Sequence, residues 1–180
     1  RSGNYALIQP TVTGTINKAN LGITVTGTYN GSTTFAPTAF TVTGLVTPSG
    51  GSTETITALT SATVNSANVA DNSTNYVQSI VIGSGTASMS NYTITQAVNA
   101  SSGNTQNTVT INKANLTVTG TTVTSKTYDG TTTAVVSGGA LSGLVAGDSA
   151  YVALTQAGSF SSPSAGNSIT ITMGDSIGAG

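Results

Sequence analysis

Cysteine, histidine and tryptophan are all absent from this 180-residue chain. Without Cys there is no disulfide framework, no thiolate nucleophile and no thiolate metal ligand. Without His the commonest general base and the commonest metal ligand are missing. Charge is scarce as well: Lys and Arg number 4, Asp and Glu number 5, and charged residues make up 5% of the chain, against roughly 25% in an average domain. Four cations cannot neutralise a phosphate backbone, which excludes nucleic acid as a partner. No apolar run approaches the roughly 18 residues of a membrane-spanning helix, so no membrane partner is expected. With no His, no Cys and no pair of neighbouring carboxylates, neither a cofactor nor an enzymatic activity is expected. The chain opens on Arg1 rather than Met, as a processed or excerpted sequence would.

Thr, Ser, Asn and Gly fill the space that charge leaves. Disorder requires low hydropathy together with high net charge, whereas the net charge here is −1 and the apolar residues are regularly placed. They alternate with Thr and Ser: Ile23 and Val25, Phe40 and Val42, Ile80 and Ile82, Val109 and Ile111, Leu116 and Val118, Ile169 and Ile171. A period of two with β-branched residues marks strands with one buried face. Gly-containing breaks such as "YNGS", "PSGG", "YDGT" and "VAGD" separate the runs. Only "VNSANVAD" could make a turn of helix. The expected fold is all-β, a pair of tandem Ig-like β-sandwich modules, with β-grasp-like modules as the alternative.

The tandem arrangement is written in the sequence itself. "INKANL" occurs at 16–21 and again at 111–116, "TYNGSTT" (28–34) is answered by "TYDGTTT" (127–133), and "TGLV" (43–46) by "SGLV" (142–145). "ALTSATV" (58–64) is answered by "ALTQAGSF" (153–160) and "SIVI" (79–82) by "SITI" (168–171), in the same order throughout. From Ile111 to Leu116 is an odd step, which a period-two strand cannot take while keeping one face. One unit's last strand should therefore end, and the next unit's first begin, at Lys18, Ala19 and Asn20 and again at Lys113, Ala114 and Asn115. So short a linker makes a stiff rod rather than a flexible tether.

"NYALIQP", made of Asn4, Tyr5, Ala6, Leu7, Ile8, Gln9 and Pro10, matches "NYTITQA" at 91–97. Residues 1–15 therefore read as the closing strand of a preceding or neighbouring module, 16–112 as a complete module, and 113–180 as a second module without its last strand. Joining Gly180 to Arg1 would supply that strand in register. Either the chain is a window on a long covalent array, or it is a subunit that donates residues 4–10 to a neighbour. Identical copies placed head to tail are the expected partners in both cases.

The phrases "INKANLTVTG", "SKTYDGTTTA", "LSGLVAGD" and "SNYTIT" resemble the MBG/YDG repeats of large secreted bacterial adhesins, the filamentous-haemagglutinin-like exoproteins. The resemblance implies a tandem stalk outside the cell, on the surface or secreted, serving adhesion or biofilm matrix, and it favours the covalent array. The first unit departs from it with "TYNG" in place of "TYDG". Matrix polysaccharide or a host surface is a further possible partner, through a glycan-binding module.

Three kinds of site chemistry can be written on these residues. An isopeptide would need Lys18 or Lys113, an Asn or Asp partner, and a buried acid to shuttle protons. Glu54 is the only Glu, and the second unit would have to use Asp148 or Asp129; exposed junction lysines are the plainer reading. Asp71 and Asp129 are the calcium candidates, but calcium wants six or more oxygens. A turn role at Asp-Gly and Asn-Gly competes with it. Sequons at Asn30, Asn72, Asn91, Asn99 and Asn115 offer glycosylation sites.

Overall fold

The computed structural model describes residues 4–95 and 107–179. Among them no helix is longer than a single 3-10 turn, at Val69–Asp71 and Asp148–Ala150, and the rest of the regular structure is strand. The fold is all-β.

The first half is a two-layer sandwich. One layer is centred on β1 (Ala19–Thr28), which pairs antiparallel with β3 (Ala39–Thr43), Ile23 opposite Val42. The other edge of β1 takes two strands in parallel: β6 (Tyr92–Ile94) beside Ala19–Leu21, then β7 (Asn107–Asn112) beside Ile23–Thr28. The second layer is an antiparallel set of β2 (Thr34–Phe35), β4 (Ile56–Val64) and β5 (Val77–Gly85). A β-grasp module would pack a helix on its sheet, whereas here sheet packs on sheet. Alternation along β1 puts Leu21, Ile23 and Val25 on the inner face, at most 2% exposed. Val64, Val77, Val109 and Ile111 complete the same core. Gly27 continues the inward parity of β1, and the Phe35 ring occupies the place its Cβ would need.

The second half repeats these registers. The pairs Gly22↔Thr43 and Ile23↔Val42 return as Thr117↔Ser142 and Val118↔Leu141, between β8 (Thr117–Thr119) and β11 (Ala140–Ser142). Thr34↔Thr63 and Phe35↔Ala62 return as Thr133↔Ser159 and Ala134↔Gly158, between β10 (Thr133–Ser137) and β13 (Gly158–Phe160). A backbone contact recurs with them. Gly44 at φ +83° lies so close to the Asn20 carbonyl that a Cβ would stand 2.5 Å from it, and Gly143 at φ +95° lies likewise against Asn115, at 2.7 Å.

One sequence match gives way to the strand register. Leu59↔Ile82 returns as Leu154↔Ile177, between β12 (Val152–Thr155) and β15 (Ser176–Ala179). "SIGAG" therefore answers "VIGSG", and "SITI" does not answer "SIVI". Ile169 lies outside any strand and β14 (Ile171–Met173) begins after it. The cause is local, since Ser168 takes φ +53° and breaks the extended run.

The halves differ in closure. In the second half β9 (Thr122–Thr124) pairs antiparallel with β10. No described strand occupies the edge of β8 that faces away from β11. Among the described residues after Asn112 only Ala134 is buried, and Leu116, Val118, Leu154 and Phe160 stay half-buried. At the other end, residues 5–18 form no strand, and Tyr5, Leu7, Ile8, Val12 and Ile16 are 82–99% exposed.

Candidate functional site

The closing strand of the first half is held by specific polar groups, and these define the site. Tyr92 is 2% exposed, and its hydroxyl donates to the Glu54 carboxylate while accepting the Val46 N–H at 2.9 Å. The bond to Glu54 and burial push the Tyr92 phenol above its ordinary value of 10, against a smaller lowering from the Val46 N–H. Asn107 is buried at the head of β7. Its Oδ1 accepts the Val77 N–H at 2.7 Å, and its Nδ2 donates to the carbonyls of Val77 (3.0 Å) and Thr95 (2.6 Å). Asn72 acts as a one-residue strand partner, donating to the Ile111 carbonyl at 3.0 Å and accepting its N–H at 2.8 Å. The amide geometry of Asn suits this task because it offers donor and acceptor side by side. The sequence reading missed Asn72 and Asn107 in this role. The recurring "NY" at 4–5 and 91–92 points to Tyr92 but to neither of these.

The Asp-Gly and Asn-Gly positions make Asx turns rather than two-residue hairpins. Asn30 Oδ1 accepts the Ser32 N–H at 2.9 Å, and Asp129 Oδ1 accepts the Thr131 N–H at 2.9 Å, with Gly31 and Gly130 both at φ +74°. The strands that flank each turn are not joined by it in a tight hairpin: β1 pairs with β3 and not β2, and β9 meets β10 only across residues 125–132. In the second half Lys126 adds to the turn, its Nζ 2.8 Å from Asp129 and 2.8 Å from the Thr131 carbonyl, with the Phe160 ring centroid at 5.7 Å. The Lys126 bond, ahead of those from Thr131, lowers the Asp129 carboxyl to about 2.

The remaining candidate residues are dispersed. Lys18 donates to the Met89 carbonyl at 3.4 Å, Lys113 is exposed, and Glu54 is engaged by Tyr92. The only ion pair among the described residues is Lys126–Asp129, so neither junction lysine is ion-paired with Glu54. Ala19 and Ala114 are half-buried while Asn20 and Asn115 are exposed. Asp71 accepts from Ser66 Oγ at 2.5 Å and Asn68 Nδ2 at 3.3 Å, holding its own turn. Among the described residues no three acidic, His or Cys side chains are grouped to hold a metal. No described helix is long and apolar enough to cross a membrane. Asn99 lies outside the described residues. Asn4, Tyr5, Ala6, Leu7, Ile8, Gln9 and Pro10 all stand exposed.

Two cavities open in the second half. One, about 360 Å³, lies between Lys126, Tyr128, Phe160, Ile169 and Ile171. The other, about 320 Å³, is mostly apolar and lies where the halves meet, between Tyr29, Ala114, Leu116, Val145 and Asp148. The Asp148 carboxylate, with burial a lesser cause, raises the Tyr29 phenol above its ordinary value of 10.

Residues 111–180 match the YDG domain family. The match holds the Tyr128-Asp129-Gly130 turn and the whole lining of the cavity beside Lys126, and covers the segment that repeats the first half in register. No curated protein and no solved structure matches the chain.

Proposed function

We propose that this chain is a structural repeat unit of an extracellular bacterial fibre or adhesin stalk, its modules set head to tail in a stiff rod for adhesion or biofilm matrix. The observation that carries the reading is the repetition of strand register between the halves, down to the contact of Gly44 with Asn20 and Gly143 with Asn115. Repeated units with short joints form quasi-one-dimensional arrays whose stability is local to each unit and its neighbour. The joint supports stiffness: β7 ends at Asn112 and β8 starts at Thr117, and Tyr29 and Asp148 line one cavity there. Gly31 also packs against Val145 so closely that a Cβ would stand 2.8 Å from it. The scarcity of charge and the lack of His and Cys leave little catalytic chemistry, which suits a load-bearing role. The YDG match agrees with the resemblance to the repeats of secreted adhesins.

The test is localisation together with size. Intact producing cells are treated with protease and the native polypeptide is sized fully denatured. The reading expects release from the cell surface or medium, and further copies of the unit in the intact polypeptide or in its assemblies. Recovery only from the cell interior would sink it.

A further inference from the structure

The free arm and the two cavities match the two sides of a joint that the first half already contains. Five side chains of β6 and β7 point inward there: Tyr92, Ile94, Asn107, Val109 and Ile111. Residues 4–17 repeat the pattern, with Tyr5 and Leu7 in "NYALI" and Val12, Gly14 and Ile16 in "VTGTIN". Thr13 and Thr15 fall between them, as Thr108 and Thr110 do in β7. Gln9, Pro10 and Thr11 are in excess of an uninterrupted strand, and the excess is where Pro does no harm, because a bulge needs no ladder N–H from it.

The receiving side is equally specific. Ala114–Leu116 hold the place of Ala19–Leu21, which β6 flanks in the first half. The cavity beside Val145 and Asp148 stands where Tyr92 sits between Val46 and Glu54. The cavity beside Phe160 and Ile171 stands where β7 lies, since Phe160↔Ile171 repeats Val64↔Val77 and Val77 is the residue Asn107 holds. Both cavities thus fall on the path that β6 and β7 fill in the first half.

We propose that residues 4–17 of one copy of this chain insert, parallel to β8, along the open edge of a second copy, with Tyr5, Ala6 and Leu7 opposite Ala114, Asn115 and Leu116. The proposal deepens the rod reading by supplying a non-covalent joint to it. Strand addition gives affinity through the backbone ladder and specificity through alternate side chains. Tyr5 enters the junction cavity, its hydroxyl within reach of the Val145 N–H that repeats Val46. The contact is heterologous and does not close, so it propagates in a line.

Sedimentation of the 180-residue chain over a range of concentrations tests this. The expected result is a ladder of oligomers that lengthens with concentration and is shortened by excess synthetic peptide of residues 4–17. Leu7→Asp with Ile16→Asp should leave a monomer at every concentration. Both residues are exposed in the single chain, so an unchanged melting curve checks that the fold is kept. The chain has no cysteine of its own, so Ala6→Cys mixed with Asn115→Cys under oxidation should cross-link two chains. Ala6→Cys mixed with Asn20→Cys should not, because Thr93 already holds that place. A chain that stays monomeric, oligomers that persist in the double variant, or equal cross-linking at Asn20 would overturn the proposal. A monomer would still leave a covalent rod standing, whereas recovery from the cell interior would sink the rod reading whatever sedimentation gives.

Discussion

At the scale of single residues, stability rests on a few amide and hydroxyl groups rather than on charge. Asn107, 1% exposed, ties β7 to β5 through two bonds to Val77 and to the end of β6 through one to Thr95. Asn107→Ala strands the Val77 N–H in the core, and leaving such a group unpaired costs roughly 1–3 kcal/mol. Thermal melting should show that loss, with Asn112→Ala, on an exposed position, nearly silent. Asp129 gives a pH signature of known sign. Its carboxyl is lowered to about 2 from an ordinary 3.8, so the stability it contributes is full above 3.8 and is lost as pH falls through about 2. A carboxyl titration followed by carbon NMR should find its midpoint near that value. Asp129→Asn should keep the turn, since Asn30 already makes the same Asx bond, while removing this acid-dependent loss of stability.

At the scale of elements, β1 and β8 are one strand in two environments. Leu21 in β1 is 0% exposed, flanked on both edges and covered by the second sheet. Leu116, its counterpart just before β8, is half-buried with one edge open. Leu21→Ala should cost about 2–5 kcal/mol, the range for a core Leu, and Leu116→Ala distinctly less in the isolated chain. Melting of the two variants side by side checks the difference.

The same two strands show what could be read beforehand. Alternation at Ile23 and Val25 and at Val109 and Ile111 located the strands and their inner faces, because period two is a local property of side chains. It could not show that β7 lies parallel beside β1, since that pairing joins residues far apart in sequence and depends on partners such as Asn72. Matching words misplaced "SITI" because a positive φ at Ser168 displaced the strand, and spelling does not carry a backbone angle. Of the candidate site, the arm at 4–10 and its match around Tyr92 were legible as a repeated phrase, while the clamps at Asn72 and Asn107 were hidden among many similar Asn residues.

At the scale of the whole molecule, surface is the informative quantity. The accessible area is 11678 Å², whereas a compact monomer of 17.6 kDa exposes roughly 7,900 Å². An arm with exposed apolar side chains and a half-covered second sandwich both add to it. Among the described residues the first module is closed, while β8 of the second keeps an edge with no strand beside it.

Residue-resolved amide hydrogen exchange on the dilute chain tests this most directly, because protection reports how each strand is held. The amides of Leu21, Ile23 and Val25 are expected among the slowest in the chain. The amides of residues 114–119 that face away from β11 are expected to exchange at least about a hundredfold faster, and to slow when peptide 4–17 is added. Equal protection of β1 and β8 in the dilute chain would contradict the account, since β8 would then have no open edge to fill.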